Sequence, residues 1–222
     1  MHEAIGQSLL FAVAIAVFPI PIITSVLLLL APRGRLLAGA FAAAWVLGLG
    51  LLGAVVLSLV SAGERGSSGT PTWVSWGRLV LGAALVVLAA YKAWGQVRRT
   101  GPPATPAWMR ALETATPARA AGTGLVLSAL NPKNIAFALA AAAAIVDLHL
   151  PAPQLVVVWA VFTVVASLGV LGPLAAAVAF GQRATGPLGS FRSWLQRNNG
   201  AIMGGLFLLL GVKILGDGIA GL

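Results

Sequence analysis

Ser128-Ala129-Leu130-Asn131-Pro132-Lys133-Asn134-Ile135 lies in the middle of an apolar run that begins near Ala120 and continues through Ala144. A run of that length suits a bilayer crossing. Its centre nevertheless carries amides, a proline and a lysine, all costly to place in hydrocarbon. Proline deprives a helix of one backbone bond and clashes with the carbonyl four residues back, so the stretch predicts two half-helices rather than one rod. Asn131 then becomes an N-cap and Pro132 the first residue of the second half-helix. Lys133 adds a cation to a helix end that already bears about half a positive charge, which is the unfavourable sign. An anion is expected nearby.

The rest of the chain agrees with a membrane location. Of 222 residues, 59% are hydrophobic and 9% charged, and the mean hydropathy is +0.97. A soluble domain carries about a quarter of its residues charged, so an all-α integral membrane protein is expected. The net charge of +9 does not indicate a nucleic-acid partner, because the arginines fall in short loops between apolar runs, the orienting pattern of membrane proteins. Cysteine is absent, which excludes a disulfide framework, thiol redox chemistry and thiolate metal sites.

In chain order, Met1 to Gln7 carries Glu3 but neither Lys nor Arg. It lacks the basic start of a cleavable signal peptide, so the first segment is expected to stay attached. Apolar residues then run from about Ile5 to Ala31, broken by Phe18-Pro19-Ile20-Pro21, with Thr24 and Ser25 one turn on. The second expected span, about Leu36 to Ser61, is rich in small residues that let helices approach closely. A Gly/Ser-rich loop over Gly63 to Thr72 leads to a third span ending near Trp94, and the tryptophans throughout the chain, with Tyr91, are expected to be interface anchors. Gly95 to Arg119 carries Arg98, Arg99, Arg110 and Arg119 with Glu113 its only acid. It is expected to be a flexible basic linker with a short surface helix around Ala107 to Thr114. The fourth span closes at Asp147 to Pro151, and the fifth runs from about Gln154 to Phe180. A loop with Arg183, Arg192 and Arg197 precedes a sixth from about Asn199 to Ile219, which holds Lys213 and Asp217.

Basic residues concentrate after spans one, three and five, so the positive-inside rule places both termini outside the cytoplasm. Pro19 and Pro132 lie 113 positions apart, and Trp45 and Trp159 lie 114 apart. Three spans per half reverse the direction of the second copy. The expected architecture is therefore six transmembrane helices as two inverted three-helix repeats, 1–95 and 120–222, joined by the linker 96–119. Helices 1 and 4 are broken at proline, and paired interrupted helices point to a transport site at the midplane.

Asn131-Pro132-Lys133 in the fourth span, paired with Pro19-Ile20-Pro21 in the first, resembles the lysine-exporter (LysE) superfamily of six-span proteins. The longer string from Leu127 to Asn134, together with Gly211-Val212-Lys213-Ile214-Leu215-Gly216-Asp217-Gly218, more closely resembles the glycopeptidolipid- and sulfolipid-addressing branch, the Sap-like GAP family. The resemblance covers essentially the whole chain. It implies export of lipids or amphipathic molecules toward the cell envelope. Amino-acid exporters of the superfamily usually have Pro-Gly-Pro in the first span. Ile20 stands here in place of that glycine and leaves less room for close backbone approach, which weighs against amino-acid export.

The expected function is outward transport of an anionic or zwitterionic amphipathic substrate, a lipid or glycolipid, by alternating access at the plasma membrane. Asn131, Pro132, Lys133, Asn134, Pro19, Pro21 and Thr24 form the expected path. Lys133 also has a structural reading, in which it bonds the carbonyls that end the first half-helix around Leu127 to Leu130. Asn131 is fully explained as a cap, and Thr24 either rejoins freed backbone or lines the path. Lys213 and Asp217, four apart on one helix face, are secondary candidates for which a partly exposed ion pair is the favoured reading. Asp147 and His149 have no third ligand in view, so no metal and no cofactor is expected. No convergent set of acids, bases and nucleophiles marks an enzyme. Two alternatives remain: an amino-acid exporter, and a non-transporting subunit of an envelope-lipid export complex. Expected partners are membrane lipids, the substrate, and a second copy of the chain or such a complex.

Overall fold

The computed structural model describes residues 1–64, 72–97, 112, 114–146, 148 and 150–220. They form helices α1 (His2–Ala16), α2 (Pro19–Leu30), α3 (Gly34–Glu64), α4 (Thr72–Val97), α5 (Pro117–Ala129), α6 (Pro132–Val146), α7 (Ala152–Phe180) and α8 (Thr185–Ala220). A 3-10 turn, Gly181–Ala184, joins the last two, and no strand occurs among the described residues. Most of the expected loop from Gly63 to Thr72 and most of the linker with its surface helix, together with Asp147 and His149, lie outside the described residues.

Two helical stretches, Gly34–Leu59 and Ala152–Ala220, are long and apolar enough to cross a bilayer. The pairs α1 with α2 and α5 with α6 qualify as one span each, bent by 52° and 47°. Both bends fall where proline opens the following helix, at Pro19 and Pro132, with Phe18 and Asn131 between the arms. The residue before a proline is driven out of the helical region, and Phe18 accordingly sits at φ −59°, ψ 121°. Because proline needs no N–H partner at a helix start, each break leaves its second half-helix intact.

The described residues divide into two compact units, each drawing on both halves of the chain. The first comprises 1–61 and 104–195, and the second 62–103 and 196–222. In the first unit α1 lies along α6 and α7, while α2 packs on α7. The helices touch where side chains are small. Gly124 faces the backbone carbonyl of Phe41, Gly48 takes the Ser128 side chain, and Gly53 takes the Trp159 ring. Gly169 of α7 lies against the carbonyl of Ala16, the last residue of α1, and the next residue accepts a 3.0 Å bond at its carbonyl from Ser25 Oγ of α2. Pro173 sits inside α7 and cannot donate to the Gly169 carbonyl four residues back.

In the second unit α4 runs antiparallel to the later part of α8, with Gly82 against Leu215, Val86 against Gly211, and Ala89 against Gly204. Glycines 204, 211 and 218 recur every seven residues along this contact, which brings the two backbones close. Gln96 Nε2 donates to the Arg197 carbonyl at 2.7 Å.

Three local expectations are corrected. Trp45 and Trp159 are not interface anchors: they are 0% and 6% exposed, and Trp159 Nε1 donates to the Leu49 carbonyl at 3.3 Å. The expected loop before the last span is helical from Thr185 onward, because Leu188 and Leu195 recur at helical spacing and are buried. Helix α5 starts at Pro117, inside the expected linker, where the Thr116 side chain accepts from the Arg119 N–H at 3.3 Å.

Candidate functional site

The two breaks face each other within the first unit. Lys133, second residue of α6, places its ammonium 5.4 Å from the ring centroid of Phe18, which with Val17 separates α1 from α2. Phe137, one turn further along α6, stacks at a tilt on Phe18 at 5.5 Å and on Phe11 at 6.4 Å. Lys133 is exposed and Phe18 buried, so the cation lies over the mouth of an aromatic cluster. An ammonium over a ring face is stabilised by the ring quadrupole, most strongly where water is excluded.

Asn131 caps α6 as its position predicts: Oδ1 accepts from the Lys133 N–H at 3.1 Å, and its carbonyl accepts from the Ile135 N–H at 3.0 Å. The cap therefore uses part of the donor set at this helix start. What remains for an anion is the positive end of the helix dipole and the ammonium beside it.

The carbonyls that end α5 are taken by Asn134. Its Nδ2 donates to Leu127 at 2.9 Å and to Ser128 at 3.0 Å. These bonds span six and seven residues and tie one half-helix to the other, which holds the 47° bend. Asn134 is wholly buried, yet its Oδ1 has no hydrogen-bond partner. A buried acceptor without a donor costs about 1–3 kcal/mol and calls for a reason.

Around the first break Pro19 and Pro21 are buried within the first turn of α2. Thr24 is 0% exposed, and its Oγ1 donates to the Ile20 carbonyl at 2.8 Å within its own helix. Among the described residues, no three His, Asp or Glu side chains gather as metal ligands would.

A family model described as Sap, sulfolipid-1-addressing protein, matches residues 9–220. The chain belongs to the Sap, sulfolipid-1-addressing protein family. Comparison with curated proteins and with solved structures gives no match. Membership in this lipid-addressing family, with apolar helices long enough to cross a bilayer, makes this a helical membrane protein.

Lys213 and Asp217 of this Sap-family chain belong to the second unit. They pair with each other at 2.6 Å on successive turns of α8, with 29% and 46% of their side chains exposed. The sequence places Phe18 in the first break but assigns no role there to it or to Phe137. The signal was present: Phe137 is four residues from Lys133 and so on the same helix face, while Phe18 immediately precedes the first proline.

Proposed function

We propose that this Sap-family protein exports an amphipathic lipid with an anionic or zwitterionic head group, and that Lys133 meets the head group at the junction of the two broken helices. The observation that carries the reading is the 5.4 Å approach of the Lys133 ammonium to Phe18, which joins the interruptions of two separate segments in one place. The unpaired Asn134 Oδ1, one residue away in sequence and wholly buried, becomes an acceptor for a head-group hydroxyl or ammonium when the junction opens. The fold proposed around it is that of the LysE superfamily, with six spans in two inverted repeats and both termini outside the cytoplasm. Alternating access exposes the junction to each side in turn, while the acyl chains stay in the bilayer.

The test is transbilayer movement of a fluorescent anionic lipid in liposomes containing the purified protein alone. Movement is expected with the wild type and its loss with Lys133→Ala, the variant retaining its helical circular dichroism and monodisperse elution. Undiminished movement by Lys133→Ala overturns the role given to Lys133. Movement of a free amino acid in place of the lipid favours the amino-acid reading, and movement only with added envelope-export partners favours the subunit reading.

A further inference from the structure

A second feature of the first unit has no part in the junction at Lys133. The chain turns sharply between α2 and α3, with Arg33 at φ 62° and Gly34 so close to the Leu29 carbonyl that a side chain has no room there. The turn presents Arg33 and Arg35. Arg35 Nη2 donates to the Ala177 carbonyl at 3.2 Å, which anchors this turn to the end of α7. There the chain turns again at Gly181, φ 57°. Between the two turns lies a cavity of about 690 Å³, lined among others by Arg33, Arg35, Gly181, Gln182 and Thr185. Among the described residues, no acid lines it.

Ala184 and Leu188 also line a second cavity, of about 460 Å³, whose other walls are Ala176, Phe180, Pro187, Phe191 and the guanidinium-bearing Arg183. Phe180 is 66% exposed and Phe191 41% exposed, so this wall offers rings to the surroundings. A polar chamber with two guanidiniums thus adjoins an apolar groove edged by a third. Anionic head groups are held by basic pockets between membrane helices, and acyl chains by apolar grooves.

We infer that these two cavities form a binding site for an anionic phospholipid, its phosphate against Arg33 and Arg35 and one acyl chain along Phe180, Leu188 and Phe191. The lipid comes from the leaflet that the arginine-bearing turns face. The site depends on the membrane location of the chain and not on the export reading.

Acyl-chain photocrosslinking tests it, with diazirine-labelled phosphatidylglycerol in phosphatidylcholine nanodiscs and crosslinks mapped by mass spectrometry. Crosslinks are expected within residues 176–191. The pair Arg33→Asn and Arg183→Gln should lower them about tenfold or more, since surface cations each add substantially to anionic-lipid binding. Asparagine tolerates the left-handed backbone at position 33, so the turn survives. The pair Arg119→Gln and Arg197→Gln, with the same loss of two charges outside the cavities, should leave the crosslinks as they are. Equal labelling by a phosphatidylcholine probe, or undiminished labelling of the double variant, overturns the inference. Loss of labelling with inorganic phosphate, but not with chloride at matched ionic strength, would make this a free-anion site and overturn the lipid assignment. Crosslinking reads occupancy without transport, so its failure leaves the Lys133 test untouched.

Discussion

The Lys133 ammonium lies over the ring of Phe18, and so the first turn of one half-helix meets the break between the arms of the other pair. Phe18→Leu keeps the apolar bulk and removes the ring face. A cation–π contact contributes from about 0.5 to about 2 kcal/mol depending on desolvation. The variant is therefore expected to fold with a modest loss of thermal stability, while lipid movement in liposomes falls several-fold.

Asn134→Ala deprives the Leu127 and Ser128 carbonyls of their side-chain donor. The expected cost is about 1–3 kcal/mol for each carbonyl left unpaired. Thermal unfolding in detergent, followed by circular dichroism, should show one of the larger losses for any single polar substitution in the first unit. Asn134→Asp should be worse, because a carboxylate would face two carbonyl oxygens.

Gly169→Ala and Gly172→Ala, three residues apart on α7, are expected to move stability in opposite directions. A methyl at 169 meets the Ala16 carbonyl and comes within 3.1 Å of the Ile22 side chain, whereas nothing lies within 4 Å of one at 172. Overpacking costs about 1–3 kcal/mol. Replacing an uncrowded helical glycine by alanine gains about 0.5–1 kcal/mol. Unfolding midpoints of the two variants measured side by side check both signs.

Asp217→Asn breaks the 2.6 Å pair with Lys213. Pairs this exposed and four apart on a helix contribute about 0.3–0.5 kcal/mol. The unfolding midpoint should shift by no more than that implies, and a large drop would show that Asp217 has a role the ion pair does not explain.

Where a local rule operates, the sequence was informative. Pro19 and Pro132 located both bends because proline acts on its own turn, and Asn131 was legible as a cap for the same reason. Asn134 was harder to read. Its partners lie six and seven residues back across the break, and whether it reaches them depends on a bend angle that no local pattern encodes. Trp45 and Trp159 illustrate a second limit. Tryptophan near a span end favours the interface on average, but a glycine at position 53 opens room for the Trp159 ring inside the bundle. The helical start of α8 was obscured by Arg183, Arg192 and Arg197, although Leu188 and Leu195 already marked a buried face. The apposition of Phe18 and Lys133 is a tertiary fact, set by how α1, α6 and α7 lie together.

Gly169 and Val170 are neighbours, and they grip opposite arms of the first elbow, one through the Ala16 carbonyl and the other through the Ser25 hydroxyl. Helix α7 therefore works as a strut across that elbow. Pro173 has removed a rung from its ladder at this height, so the strut is softest where it is attached. An axial slip of a single residue, about 1.5 Å, would drag both anchor points together and force the elbow to open or fold.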